Sequence, residues 1–101
     1  MRIFVLCGSL LLAYAAAADA AQQQAWPARP VRLIVSNVPG SAPDVIARLV
    51  AEKLTEAWGQ QIVIDNRPGA TGIIAAEALH RAAPDGYTLW LNTMTQLIST
   101  L

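Results

Sequence analysis

The stretch that decides the fold is residues 31–65, VRLIVSNVPGSAPDVIARLVAEKLTEAWGQQIVID. Val31 to Val35 is a short β-branched run closed by turn-forming residues, the pattern of a strand. Ser36 to Ala42, which contains Pro39-Gly40-Ser41, reads as a loop. Pro43 then stands where a helix accepts proline, in its first turn, and Asp44 beside it suits the positive end of the helix dipole. Ile46, Leu49, Val50 and Leu54 recur at helical spacing, opposite Arg48, Glu52 and Glu56, so the helix is amphipathic. Gly59 follows Trp58 as a left-handed C-cap. Gln61 to Asp65 is a second strand. Strand, helix and strand in this order call for a right-handed crossover and parallel pairing.

The same alternation continues downstream. Asn66 to Gly72 is a loop dense in turn residues, and a second helix is predicted from about Ile73 to Ala82, with Glu77 and Arg81 as an i,i+4 pair. Pro84-Asp85-Gly86 is a tight turn, and Tyr87 to Leu91 a third strand. After Asn92 the pattern gives no further element. The expectation is α/β: a βαβαβ unit forming half of a doubly wound parallel sheet.

Upstream, Arg2 and the almost wholly apolar run from Ile3 to Ala18 precede Ala18-Asp19-Ala20, which puts small residues where a signal peptidase reads. Residues 1–20 therefore read as a secretory signal peptide, cleaved near Ala20 or Ala21, with periplasmic export as the consequence. A membrane anchor is the competing reading, but the run is shorter than the roughly 20 residues a spanning helix needs. The single cysteine, Cys7, lies in this leader, too close to the start for a lipobox, so the processed chain has neither disulfide nor thiol nucleophile. Residues 21–30, with Pro27 and Pro30, form an extended lead-in, and 31–101 the folded part. At 101 residues the chain holds one small domain, and its formal net charge of zero argues against nucleic acid as a partner.

Two loops stand at the edge where open α/β sheets bind ligands, after a strand and before a helix. Gly40, Ser41 and Ala42 in the first, and Gly69, Ala70, Thr71 and Gly72 in the second, are small. They let an anion approach the backbone N–H groups at two helix starts. The glycines could equally serve tight turns alone, and that reading stays open. Neither loop fits a P-loop or a dinucleotide fingerprint. His80 sits among helix formers as a solvated position, Ser41 has no partner histidine, and the acids are too scattered for a metal set. Arg67 either faces a ligand carboxylate or pairs with Asp65. Trp26, Trp58 and Trp90 read as packing residues. No catalytic constellation and no cofactor is implied.

Four blocks in order resemble one family. Trp26 to Val35, WPARPVRLIV, is similar to the opening of the tripartite tricarboxylate transporter substrate-binding proteins (TctC, or Bug-like), with their aromatic-Pro lead-in and first strand. Gly59 to Ile64 fits their second-strand start, Asp65 to Gly72 their "E-N-R-P-G-A-x-G" loop, and Pro84 to Leu89 their "P-D-G-Y-T-L" turn. The resemblance implies a periplasmic-binding-protein, or Venus-flytrap, fold, of which this chain is part of the first lobe with the second lobe missing. It implies capture of a small carboxylate for membrane permease subunits, and a ligand set of Gly40, Ser41, Ala42 and Asp44 with Gly69, Ala70, Thr71 and Gly72. The first loop departs from the family's "V-P-F-x-P-G-G-x-(S/T)-D": Ser36-Asn37 replaces Pro-Phe, Ser41 the second glycine, and Pro43 stands where a hydroxyl residue is usual. Two other readings remain: a free-standing periplasmic module that self-associates through its exposed sheet edge with ligand binding lost, and an enzyme of the doubly wound class.

Overall fold

A computed structural model describes residues 25–99, so the expected signal peptide lies outside the described residues. Three strands form one parallel sheet: β1 (Val31–Val35), β2 (Ile62–Asn66) and β3 (Thr88–Leu91), in the order β2-β1-β3. Val31 pairs with Ile62 and Val35 with Asn66 on one side of β1; Arg32 pairs with Thr88 and Val35 with Leu91 on the other. Helix α1 (Ala42–Trp58) carries the chain from β1 to β2, and α2 (Ile73–Arg81), entered through a 3-10 turn at Ala70–Gly72, carries it across to β3. The first crossover runs from β1 out to β2 and the second runs back from β2 past β1 to β3, so right-handed connections place their helices on opposite faces. The doubly wound α/β expectation holds.

Side-chain alternation agrees. Val31, Leu33 and Val35 face α1 and form the core with Ala47, Ala51 and Ile62, against which Leu54, Trp58, Ile64, Leu89 and Leu91 pack. Ile34 points to the other face, where α2 contacts β3 and β1 and buries Ala75.

The ends of α1 fall where the sequence puts them. Gly59 takes φ 69° and donates its N–H to Thr55 O at 3.0 Å. The Thr55 hydroxyl donates to Ala51 O and accepts the N–H of Ile62, tying the helix to the start of β2. The buried face of α1 differs from expectation. It is the stripe through Asp44, Ala47 and Ala51 that lies on the sheet, whereas Val45, Ile46, Leu49 and Val50 are 42–60% exposed. Two alanines let the helix approach β1 closely, and the larger aliphatic residues are turned to the outer surface.

The lead-in is held at the N-terminal end of the strands. Trp26 meets Trp58 edge-on at 4.9 Å and lies 6.1 Å from the ring of Tyr87. Arg29 stacks over that ring at 4.1 Å and pairs with Asp85 at 2.8 Å, while the Tyr87 hydroxyl accepts the N–H of Ala28. The Asp85 carboxyl is held below its ordinary range by the N–H of Tyr87, an effect that outweighs its burial and is reinforced by Arg29. The Trp-Pro lead-in and the Pro-Asp-Gly-Tyr turn are two halves of one clasp. Glu77 and Arg81 pair at 3.3 Å as expected.

Beyond Asn92, where the pattern gave no element, the chain forms a third helix, α3 (Met94–Ser99). Among the described residues no helix is long and apolar enough to cross a membrane.

The reassigned face of α1 is testable by thermal unfolding. Ala47→Leu should destabilise by about 1–3 kcal/mol through overpacking. Leu49→Lys should stay within about 0.5 kcal/mol, because it changes only the outer surface.

Candidate functional site

Because the three strands are parallel, the loops that follow them gather at one edge. The first, residues 36–41, begins with a buried Ser36. Its hydroxyl accepts the indole N–H of Trp90 at 2.6 Å, and its carbonyl accepts the amide of Gln96 at 3.4 Å. Ser41 donates both its N–H and its hydroxyl to Val38 O, so the hydroxyl closes the loop and does not cap α1. The first turn of α1 leaves the N–H groups of Ala42 and Asp44 without intrahelical acceptors, and Pro43 has none to offer.

Asp44 sits among the expected ligand residues, but its carboxylate is already committed. It is 1% exposed. Oδ2 accepts the N–H of Gly40 and the guanidinium of Arg48, each at 2.9 Å, and Oδ1 accepts the amide of Asn66 at 2.9 Å. Arg48, then the Gly40 N–H, then Asn66 hold its pKa down from 3.8 to about 2, against the opposing effect of burial. Asn66 also donates to Asn37 O at 3.0 Å and accepts from Arg48 at 3.5 Å, so it joins the end of β2 to the first loop.

The second loop continues the sheet for one bond, Arg67 N–H to Val35 O at 2.8 Å. Arg67 then turns back and pairs with Asp65 at 3.0 Å, the second of its two expected roles. Arg32 reaches the same carboxylate, its Nε 2.7 Å from Oδ2. Burial pushes the Asp65 carboxyl up, but Arg67 and Arg32 together hold it below the ordinary range. Next come four residues in succession at positive φ: Gly69 (115°), Ala70 (48°), Thr71 (54°) and Gly72 (93°). Gly72 N–H closes this left-handed turn on Gly69 O at 3.1 Å. For a β-branched residue such as Thr71 this conformation is strained.

Helix α3 braces both loops. Gln96, 7% exposed, holds Ser36 O with its amide N–H and takes the N–H of Thr93 on its carbonyl. Its Cβ and Cγ lie where a Cβ on Gly72 would come within 3.0 Å. Neither Gln96 nor Asn66 was among the sequence candidates. Asn66 sits in the Asn-Arg-Pro-Gly run that reads only as turn chemistry, and Gln96 is a lone amide in a segment without periodicity. At the adjoining ends of β1 and β3, the buried Oδ1 atoms of Asn37 and Asn92 have no hydrogen-bond donor among the described residues. Those residues contain no group of three metal-ligating side chains. His80 is exposed on α2, away from this edge.

A doubly wound parallel sheet with small, backbone-rich loops at its C-terminal edge is an open α/β architecture, and the solved structures it resembles are periplasmic-binding-protein-type domains. The profile of the tripartite tricarboxylate transporter family receptor, TctC, matches residues 46–100, and the chain belongs to that family. It is 53% identical over 87 residues to a UPF0065 protein of Bordetella bronchiseptica, covering 83% of this chain and 26% of that protein. Among solved structures it is similar to a Rhodopseudomonas palustris protein with adipate (45% identity, TM-score 0.64, 66% of this chain and 22% of the other). It is also similar to MatC from the same organism with bound malate (40% identity, TM-score 0.60, 64% and 22%). The chain thus spans about a quarter of the length of the relatives it matches.

Two measurements follow from this geometry. Asp44 should support the fold fully above pH 3.8, where an unfolded aspartate is ionised, and lose that contribution as pH falls through about 2. Unfolding midpoints of the parent and Asp44→Asn chains should therefore converge in strong acid. Gly72→Ala should cost about 1–3 kcal/mol, from backbone strain plus the clash with Gln96. Gly40→Ala, whose Cβ meets nothing within 4 Å, should cost less.

Proposed function

We propose that this chain supplies part of the first lobe of a periplasmic solute receptor, one that captures a small carboxylate for the permease subunits of a tripartite tricarboxylate transporter. The observation that carries this reading is the convergence of the two small-residue loops at one strand edge. There the starts of α1 and α2 direct backbone N–H groups toward a single region. Gly40, Ser41, Ala42, Gly69, Ala70, Thr71 and Gly72 form the ligand-facing set, and Asp44 shapes it from beneath. No cationic side chain needs to reach the ligand, because helix starts favour anions through their N–H groups and dipole. Adipate and malate beside two family members with this architecture support a dicarboxylate as the ligand class. Export through the leader at residues 1–20 belongs to the same reading.

The apolar stripe Val45, Ile46, Leu49 and Val50 on α1 supports a second reading, in which copies of the chain associate and ligand binding is lost. Thermal melting of the chain with adipate, malate and a panel of dicarboxylates and tricarboxylates separates the two. A ligand present at 100 times its Kd should stabilise the native state by about 2.7 kcal/mol and raise Tm by several degrees. Flat melts, together with a dimer in sedimentation that Leu49→Lys dissociates, would replace the receptor reading with the second.

A further inference from the structure

We infer that Asp44 and Asn66 form a positioning pair that locks the two candidate ligand loops into one unit, so that the second loop governs the first through a buried carboxylate. The inference deepens the carboxylate-binding reading of this edge and rests on it.

Apart from the i,i+4 contact of Arg48 with Asp44 inside α1, the bonds of the pair cross from one element to another. The Asn66 side chain, at the last residue of β2, donates to a carbonyl of the first loop, Asn37 O at 3.0 Å, and to Asp44 Oδ1 at 2.9 Å. The other Asp44 oxygen holds the N–H of Gly40 at 2.9 Å, within the tightest part of the first loop. Arg48 bridges the two, with Nε on Asp44 and Nη2 on Asn66 Oδ1. The first loop is therefore fixed at Asn37 by Asn66, where the second loop begins, and at Gly40 by Asp44, which Asn66 holds in turn. No direct hydrogen bond between the residues of the two loops is needed for them to move together.

The chemistry of the node fits this role better than ligand contact. Asp44 is 1% exposed, and both oxygens point at donors of the chain itself. A carboxylate facing a bound carboxylate would repel it, whereas one turned inward spends its charge on orienting N–H and amide groups. Asparagine at 66 is needed for a related reason. Its side chain donates to two acceptors and accepts from Arg48 at the same time, which neither aspartate nor leucine can do.

The test compares the full-length parent chain with Asn66→Ala and Asn66→Asp, using Tyr87→Phe as a control for stability loss at the opposite end of the strands. Amide hydrogen exchange is read without ligand, and affinity for malate and adipate by calorimetric titration. In Asn66→Ala the Gly40 N–H should exchange at least about tenfold faster, the scale of one lost hydrogen bond. The β1 amides Val31 and Arg32 should keep their rates. Malate or adipate affinity should fall about tenfold or more, and further in Asn66→Asp, where a second carboxylate meets Asp44. Tyr87→Phe should lower Tm without changing affinity, and a merely structural Asn66 would behave as Tyr87→Phe does, losing Tm and keeping affinity. Unchanged Gly40 exchange in Asn66→Ala overturns the coupling, as does parental affinity in that variant. If the parent binds neither acid, the receptor reading fails on its own. The exchange arm then decides: fast Gly40 exchange upholds the coupled loops, and parental exchange overturns them.

Discussion

Strand β1 is paired in parallel along both of its edges, to β2 on one side and β3 on the other, and the rest of the molecule follows from that constraint. A parallel neighbour on each side requires two long crossovers, one returning on each face. The strand must then be apolar on both faces, and Val31, Leu33, Ile34 and Val35 are all at or below 7% exposure. The three strand ends share one edge for the same reason. Chain connectivity alone therefore places the loops after β1, β2 and β3 together, before any ligand chemistry is considered.

Charge at that edge is balanced around two aspartates, one buried and one half-buried. Asp44 is paired with Arg48, and Asp65 with both Arg32 and Arg67. Three guanidinium groups against two carboxylates leave one positive charge in excess around the end of β2. The excess is not aimed at the ligand region, since each guanidinium is engaged with a carboxylate. It offsets the field of the aspartates, and the helix starts then act on a nearly neutral background.

Local signals in the chain were legible where local rules decide the outcome. The β-branched run at Val31, proline inside the first turn of α1, glycine after Trp58 and the Glu77–Arg81 spacing each have a short-range cause, and the structure carries all four. The buried face of α1 was not legible, because periodicity weighs large apolar residues most. Here closeness to the sheet selects Ala47 and Ala51, and aliphatic residues fall outward. Helix α3 was missed because six residues containing a β-branched Thr have little intrinsic helicity. Gln96 ties that segment to Ser36, 60 positions away. The two loops of the candidate site could be read from their glycines and their place after strands. The braces could not, since Asn66 meets Asp44 across 22 residues and Asn37 across 29.

The distribution of unfavourable features around the sheet is itself informative. At the N-terminal edge the rings, the arginine and the aspartate of the clasp satisfy one another. At the C-terminal edge the chain carries a buried carboxylate, two non-glycine residues at positive φ and two buried amide oxygens without a donor among the described residues. The carboxylate is satisfied, but the other features cost stability: about 1–3 kcal/mol for an unsatisfied buried acceptor, and a similar amount for a strained backbone residue. Ala70 and Thr71 are left-handed in the turn that leads into α2, and Asn37 and Asn92 bury their acceptors just past the ends of β1 and β3. Strain and unmet polarity gather where the strand order turns from one direction to the other, the place at which open α/β sheets as a class bind their ligands.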